Sequence, residues 1–474
     1  MKHITISGYR LLLFALLSLN GLPAAVHAQQ TYSANWASLD ARAVPQWFKD
    51  AKLGIFIHWG VYSVPAWAPV GKEYAVYSKY SEWYWNRLIT DSSKVGKAFR
   101  AYHNTTYGPH FTYQDFAPMF KAELFNPEQW ADIFKKAGAQ YVVLTSKHHD
   151  GFALWPSAQS WNWNAADIGP HRDLAGDLSD AVKAKGLHMG FYYSLYEWFN
   201  PLYKADVNKY VSEHMMPQLK DLVVRYKPDI IWPDGEWEHP SDTWKSTEFL
   251  AWLYNESPVK NSVVVNDRWG KETRSKHGGY YTTEYNIVHD EDASNKKFDH
   301  PWEECRGIGG SFGYNRNESL ADYETSDALV HMLVQKVARG GNLLLDIGPD
   351  ADGTIPVIMQ QRLADLGAWL TTNGEAIYGT TAGPQSPAKD IFITQKNNNL
   401  YLVLTAAQDK PISLNLAHAP LKATLLGSDK KVSYSFRNGK CIINPLNTFP
   451  NLPSGGYAWV VKLEGAGMNF SMGH

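Results

Sequence analysis

Between residues 52 and 348 the chain repeats one unit: a short apolar run that ends in polar or charged residues, followed in most repeats by a helix-length stretch. The runs lie at 52–60, 141–145, 188–194, 229–235, 262–268, 279–285, 302–308 and 342–348. Short buried strands alternating with helices demand a parallel sheet, because strands pointing the same way need a crossover between them. Eight units over about 330 residues favour a (β/α)8 barrel over an open doubly wound sheet. No glycine-rich dinucleotide or phosphate loop supports the open alternative. The expected class is α/β, a TIM-like barrel.

Punctuation between the runs agrees. Asn126 is a good N-cap, Pro127 suits the first helical position, Gln129 can close a capping box, and Gly138 ends the helix just before the second run. Further helices are predicted from Leu174 to Gly186, over 207–226 with a kink at Pro217, over 243–255, over 327–338, and from Pro356 to about Thr372. Residues 61–113 form a long aromatic loop, and loops of that length inside a domain are usually functional.

Near residue 380 the pattern changes to short alternating strands, at 391–394, 400–404, 412–416, 423–426, 432–436, 441–443 and 458–463, with turns between them. That predicts a C-terminal β-sandwich over 381–474, with no catalytic cluster, behind a barrel spanning 29–380. The first 28 residues read as a secretory leader. Lys2 and Arg10 lead into the apolar run 11–17, and Val26-His27-Ala28 offers a cleavage site. The expected location is outside the inner membrane, periplasmic or extracellular. Cleavage takes two of the 45 basic residues and no acid, leaving 43 against 47. That balance does not suggest nucleic acid, and no later apolar run is long enough to span a membrane. Cys305 and Cys441 exclude a disulfide framework but leave a single pairing open.

The run ends supply the chemistry. In a barrel, polar residues at the carboxyl ends of strands converge on one face, where active sites are built. Ser146-Lys147-His148-His149-Asp150 follows the second run, and the other ends carry His58, Tyr193, Asp234, Arg268 and Glu284, with Glu82 on the long loop. Two carboxylates on different strands are what glycoside hydrolysis needs. The 19 Trp and 27 Tyr supply flat apolar faces with polar tips, which suit sugar rings. Paired histidines also suit a metal, but no HExxH-like spacing is present, and none is expected. No cofactor is expected either.

In Gly54-Ile55-Phe56-Ile57-His58-Trp59-Gly60, Ser81-Glu82-Trp83-Tyr84, Lys147-His148-His149-Asp150-Gly151-Phe152, Trp232-Pro233-Asp234-Gly235, Trp302-Glu303, Gly313-Tyr314-Asn315, Asn342-Leu343-Leu344-Leu345-Asp346-Ile347-Gly348-Pro349 and Asn373-Gly374-Glu375-Ala376-Ile377-Tyr378 the chain resembles the α-L-fucosidases of glycoside hydrolase family 29. The order and spacing agree over residues 35–380. The resemblance implies a retaining, exo-acting α-L-fucosidase acting on fucosylated glycans. It implies Asp234 as nucleophile and Glu284 as acid/base, with Glu303 in reserve. It implies a fucose-binding set of His58, Glu82, Trp83, His148, His149, Tyr193 and Arg268, with Phe312 against the C6 methyl. A glycosidase for another sugar such as galactose, or a non-catalytic glycan-binding barrel, stays open at this point. Linkage and oligomeric state are not legible in the residues.

Overall fold

The computed structural model describes residue 1 and residues 30–288, 291–292, 299–428, 431–446 and 456–467. Apart from Met1, the expected leader lies outside these residues. Eight parallel strands form the main sheet: β1 Leu53–Ile57, β2 Tyr141–Lys147, β3 His188–Ser194, β4 Ile230–Asp234, β5 Val264–Val265, β6 Tyr281–Glu284, β7 Trp302–Gly307 and β8 Asn342–Ile347. Their order is β5-β4-β3-β2-β1-β8-β7-β6, with every neighbouring pair parallel. The seam between β5 and β6 is joined by the Tyr280 N–H donating to Val265 O at 3.1 Å. Asp267 Oδ1 adds to it by accepting from the backbone and hydroxyl of Thr282 at 3.1 and 2.7 Å. The sheet is therefore a closed barrel.

Side chains alternate across each strand, so every strand feeds two cores. Phe56, Val143, Tyr192, Trp232, Val264, Cys305 and Leu344 fill the barrel interior. Their neighbours Ile55, Ile57, Val142, Leu144, Phe191, Ile231, Val265, Leu343 and Leu345 face the helical layer. Gly54 makes room for the interior packing: a Cβ there would meet the Tyr141 ring at 2.2 Å.

The helices follow the predicted punctuation with informative departures. Asn126 caps Pro127–Lys136 by accepting from Gln129 N–H at 3.0 Å, and Gly138 takes φ +88° beyond its end. Between β3 and β4 the predicted kink is a π-helical turn, Val211–Met215, between Val207–Tyr210 and Met216–Tyr226. Pro217 donates no N–H, and a widened turn just before it relieves the regular ladder. Among the described residues two connections carry no helix. No α-helix links β5 to β6, where side-chain hydrogen bonds from Asp267 and Thr273 shape a compact loop. After β6 the described residues form a short antiparallel finger, Ile287–Val288 with Glu291–Asp292, in place of a helix.

Beyond helix Val357–Asn373 come two antiparallel sheets. One has five strands: β9 Thr381–Ala382, β10 Ile391–Lys396, β11 Asn399–Leu404, β16 Trp459–Glu464 and β13 Lys422–Leu425. The other has three: β12 Ile412–Asn415, β15 Lys440–Ile443 and β14 Tyr434–Arg437. Burial alternates along β12 and β15, as a face half in water requires. Cys305 on β7 and Cys441 on β15 are both buried and both free. No helix among the described residues is long and apolar enough to cross a membrane.

Candidate active site

The strand ends enclose a cavity of about 390 Å³ lined by residues of β1, β3, β4, β6 and β7, of the loops that follow the strands, and of the long first loop. At its centre stands Asp234, the last residue of β4. Oδ1 accepts from Arg268 Nη1 at 2.7 Å, and Oδ2 accepts from the Tyr192 hydroxyl at 2.9 Å. Burial alone would push the Asp234 carboxyl up. The Arg268 guanidinium, with Arg274 behind it, outweighs burial and holds the carboxyl at about 2. Asp234 is thus an ionised carboxylate at any working pH.

Arg268 is itself fixed. Its Nε donates to Thr282 Oγ1 at 3.0 Å and its guanidinium lies 4.4 Å over the Trp232 ring. Its Nη2 reaches Glu284 Oε2 at 3.4 Å, so one planar guanidinium spans both predicted carboxylates. Glu284 ends β6 and accepts from the Tyr80 hydroxyl at 2.9 Å. Tyr285 and Asn286, at φ +48° and +61°, make the two-residue turn into the finger, which leaves Glu284 at the barrel rim.

Three histidines line one wall, and burial lowers the pKa of each. His58 is held at about 3, His149 at about 4, and His148 well below the usual range. All three are neutral rings. His149 Nδ1 lies 2.6 Å from Ser194 Oγ, and that hydroxyl donates to Tyr196 O. Ser194 Oγ therefore accepts a hydrogen bond from Nδ1–H, which leaves the bare Nε2 on the pocket side, 3.7 Å from Asp234. His58 Nδ1 is 2.7 Å from Oδ1 of Asp346, whose other carboxyl oxygen is buried without a partner. Burial raises Asp346 well above the ordinary carboxyl range. A protonated Asp346 donating to Nδ1 satisfies both observations and turns His58 Nε2–H towards the cavity.

Opposite, Glu82 accepts from Gly313 N–H at 2.9 Å and from Ser311 Oγ at 3.2 Å, and burial raises it to about 7. Phe312 stacks on His58 with ring centres 4.8 Å apart, and Trp83 packs edge-on against His149 at 5.3 Å.

The structure brings together His58, Glu82, Trp83, His148, His149, Asp234, Arg268, Glu284 and Phe312. Two predicted residues lie elsewhere. Tyr193 needs correction: it shares the outward face of β3, donates to Gln218 Oε1 at 2.8 Å, and carries Lys147 Nζ 4.2 Å over its ring. Its neighbour Tyr192 takes the pocket position. Glu303 points into the barrel interior below the cavity, where it accepts from Tyr141 at 2.5 Å and Trp232 at 2.9 Å. Sequence reasoning also missed Glu236 and Arg274, an ion pair at 2.5 Å whose guanidinium lies 3.6 Å from Asp234. The available signal for Glu236 was its place two residues past Asp234, just beyond the end of β4.

No three His, Cys, Asp or Glu side chains among the described residues are grouped to hold a metal ion. A pocket of carboxylates, neutral imidazoles and aromatic walls at the carboxyl ends of barrel strands has the groups that glycoside hydrolysis needs.

Comparison with known proteins narrows the class. The profile described as Alpha-L-fucosidase matches residues 22–375. The tissue alpha-L-fucosidase of Rattus norvegicus is 44% identical over 473 residues, covering 96% of this chain and 96% of that one. The alpha-L-fucosidase of Dictyostelium discoideum is 46% identical over 431 residues, covering 88% and 89%. Among solved structures, Thermotoga maritima alpha-fucosidase in complex with fucose is 35% identical and aligns with a TM-score of 0.75, covering 91% of this chain and 100% of that one. The chain belongs to the alpha-L-fucosidase family.

Proposed function

We propose that the protein is a retaining, exo-acting α-L-fucosidase that releases terminal α-L-fucose from glycans by double displacement, with Asp234 as nucleophile and Glu284 as acid/base. The observation that carries this reading is the Arg268 fork. It binds both carboxylates from one side while holding Asp234 ionised. In the first step Asp234 attacks the anomeric carbon while Glu284 protonates the departing oxygen. In the second, Glu284 takes a proton from water, which displaces Asp234. Two carboxylates tied to one guanidinium lie side by side, which favours direct attack over an intervening water.

The remaining lining fits fucose. Neutral His58, His148 and His149, with Glu82, offer donors and acceptors for ring hydroxyls, and Phe312 offers an apolar wall for the C6 methyl. A site that hydrogen-bonds particular hydroxyls rejects sugars lacking them strongly, which separates fucose from other hexoses. Tyr192 rather than Tyr193 completes the set. Glu303 has no path to a substrate, since its oxygens are buried against Tyr141 and Trp232.

The test is a Glu284→Ala variant assayed on two substrates. On aryl α-L-fucosides, whose good leaving groups need no proton, kcat/KM is expected to persist while kcat falls for want of the second-step base, and on fucosylated oligosaccharides kcat/KM is expected to fall by about 10²–10⁴. Equal activity with wild type on both would remove Glu284 from the acid role. Secretion of the protein is part of the same proposal. N-terminal sequencing of the mature chain is expected to begin at Gln29.

A further inference from the structure

The cavity has a buried end around Asp234 and an open lip. At the lip, Trp237 is 38% exposed and Tyr77 39% exposed, with the exposed Lys271 completing the rim. An indole exposed at the lip of a polar pocket offers a flat apolar face to whatever enters it.

Trp237 is also held in place. Its ring sits 5.3 Å from His149, 5.9 Å from Trp83 and 6.1 Å from Tyr196, so it presents a braced apolar surface rather than a swinging side chain. It stands three residues after Asp234, beyond the turn at Gly235, whose φ is +75°. An exo-acting hydrolase buries the sugar it releases and leaves the departing group at the mouth.

We propose that Trp237 is the platform for the ring of the departing group, so that the enzyme prefers fucosides of a pyranose sugar over fucosides whose leaving group has no ring. The C–H face of a pyranose covers an indole, and the Lys271 ammonium across the rim can meet its hydroxyls. This rests on the reading that fucose occupies the Asp234 end.

The experiment compares kcat/KM on a fucosyl-hexose disaccharide and on α-L-fucosyl fluoride, whose leaving group is a single atom, for wild type, Trp237→Ala and Trp237→Phe. Trp237→Ala is expected to lose about tenfold more on the disaccharide than on the fluoride, and Trp237→Phe to recover most of that difference. Parallel losses on both substrates would mean that Trp237 only supports the fold of the site, and would overturn the platform. No loss on the disaccharide would overturn it too. Wild-type protein inactive on the fluoride would instead overturn the fucosidase reading beneath it.

Discussion

At the scale of single residues, the site works by pairing charges so that each group stays in one protonation state. Arg268 is the clearest case. With its guanidinium in place, Asp234 titrates at about 2 and the nearest group to take a proton on acidification is His149, at about 4. The acid limb of kcat/KM against pH is therefore expected near 4. Arg268 lowers both Asp234 and His149, so removing its positive charge in Arg268→Gln raises both and should move that limb up by about one pH unit or more, alongside a fall in rate. An unchanged limb would show that Arg268 does not set the charge of either group. Asp346 acts one step back, through His58. Asp346→Leu frees the imidazole to take the wrong tautomer and is expected to raise KM about tenfold, while Asp346→Asn can still donate to Nδ1 and should stay near wild type. In a His58→Gln background the Leu change should add little. A full additional loss there would mean a purely structural Asp346. Most of the pocket residues were legible because they sit where apolar runs end. The error at Tyr193 is one of parity. Tyr192 and Tyr193 are adjacent and chemically alike, and only the phase of β3, shared with Gly190 and Ser194, sends Tyr192 inward. Glu236 and Arg274 were hidden for another reason: Arg274 lies in a loop whose path no periodicity reports.

At the scale of elements, strand packing depends on small residues at close approaches. Gly54→Ala drives a methyl into the Tyr141 ring and is expected to cost about 1–3 kcal/mol in urea unfolding. Stability equal to wild type would show that the ring can move aside. Strands β1 to β4 and their helices were legible from apolar runs and caps, because each is a regular unit with Pro, Asn or Gly at its ends. The β5–β6 connection was not, since Asp267 and Thr273 replace a crossover helix with side-chain hydrogen bonds that leave no periodic trace. The finger after β6 rests on Tyr285 in the left-handed region, where a tyrosine is uncommon and gives no turn signal.

At the scale of the whole molecule, the sandwich is part of the barrel's support. Tyr401, Val403, Ala458 and Val460 belong to the same apolar core as the barrel's helical layer. Trp369 donates to Ala458 O at 2.9 Å, and Thr394 donates to Ala376 O at 2.7 Å. A chain ending at residue 380 exposes that surface and is expected to aggregate on expression. A soluble, active barrel of that length would show the sandwich to be dispensable.

The central claim is that Asp234 attacks the sugar. Asp234→Gly removes the nucleophile and opens space beside the anomeric carbon, so turnover of an aryl α-L-fucoside should fall by about 10³-fold or more, and added azide should restore it by forming a fucosyl azide. Near-wild-type turnover in Asp234→Gly, with no response to azide, would contradict the account.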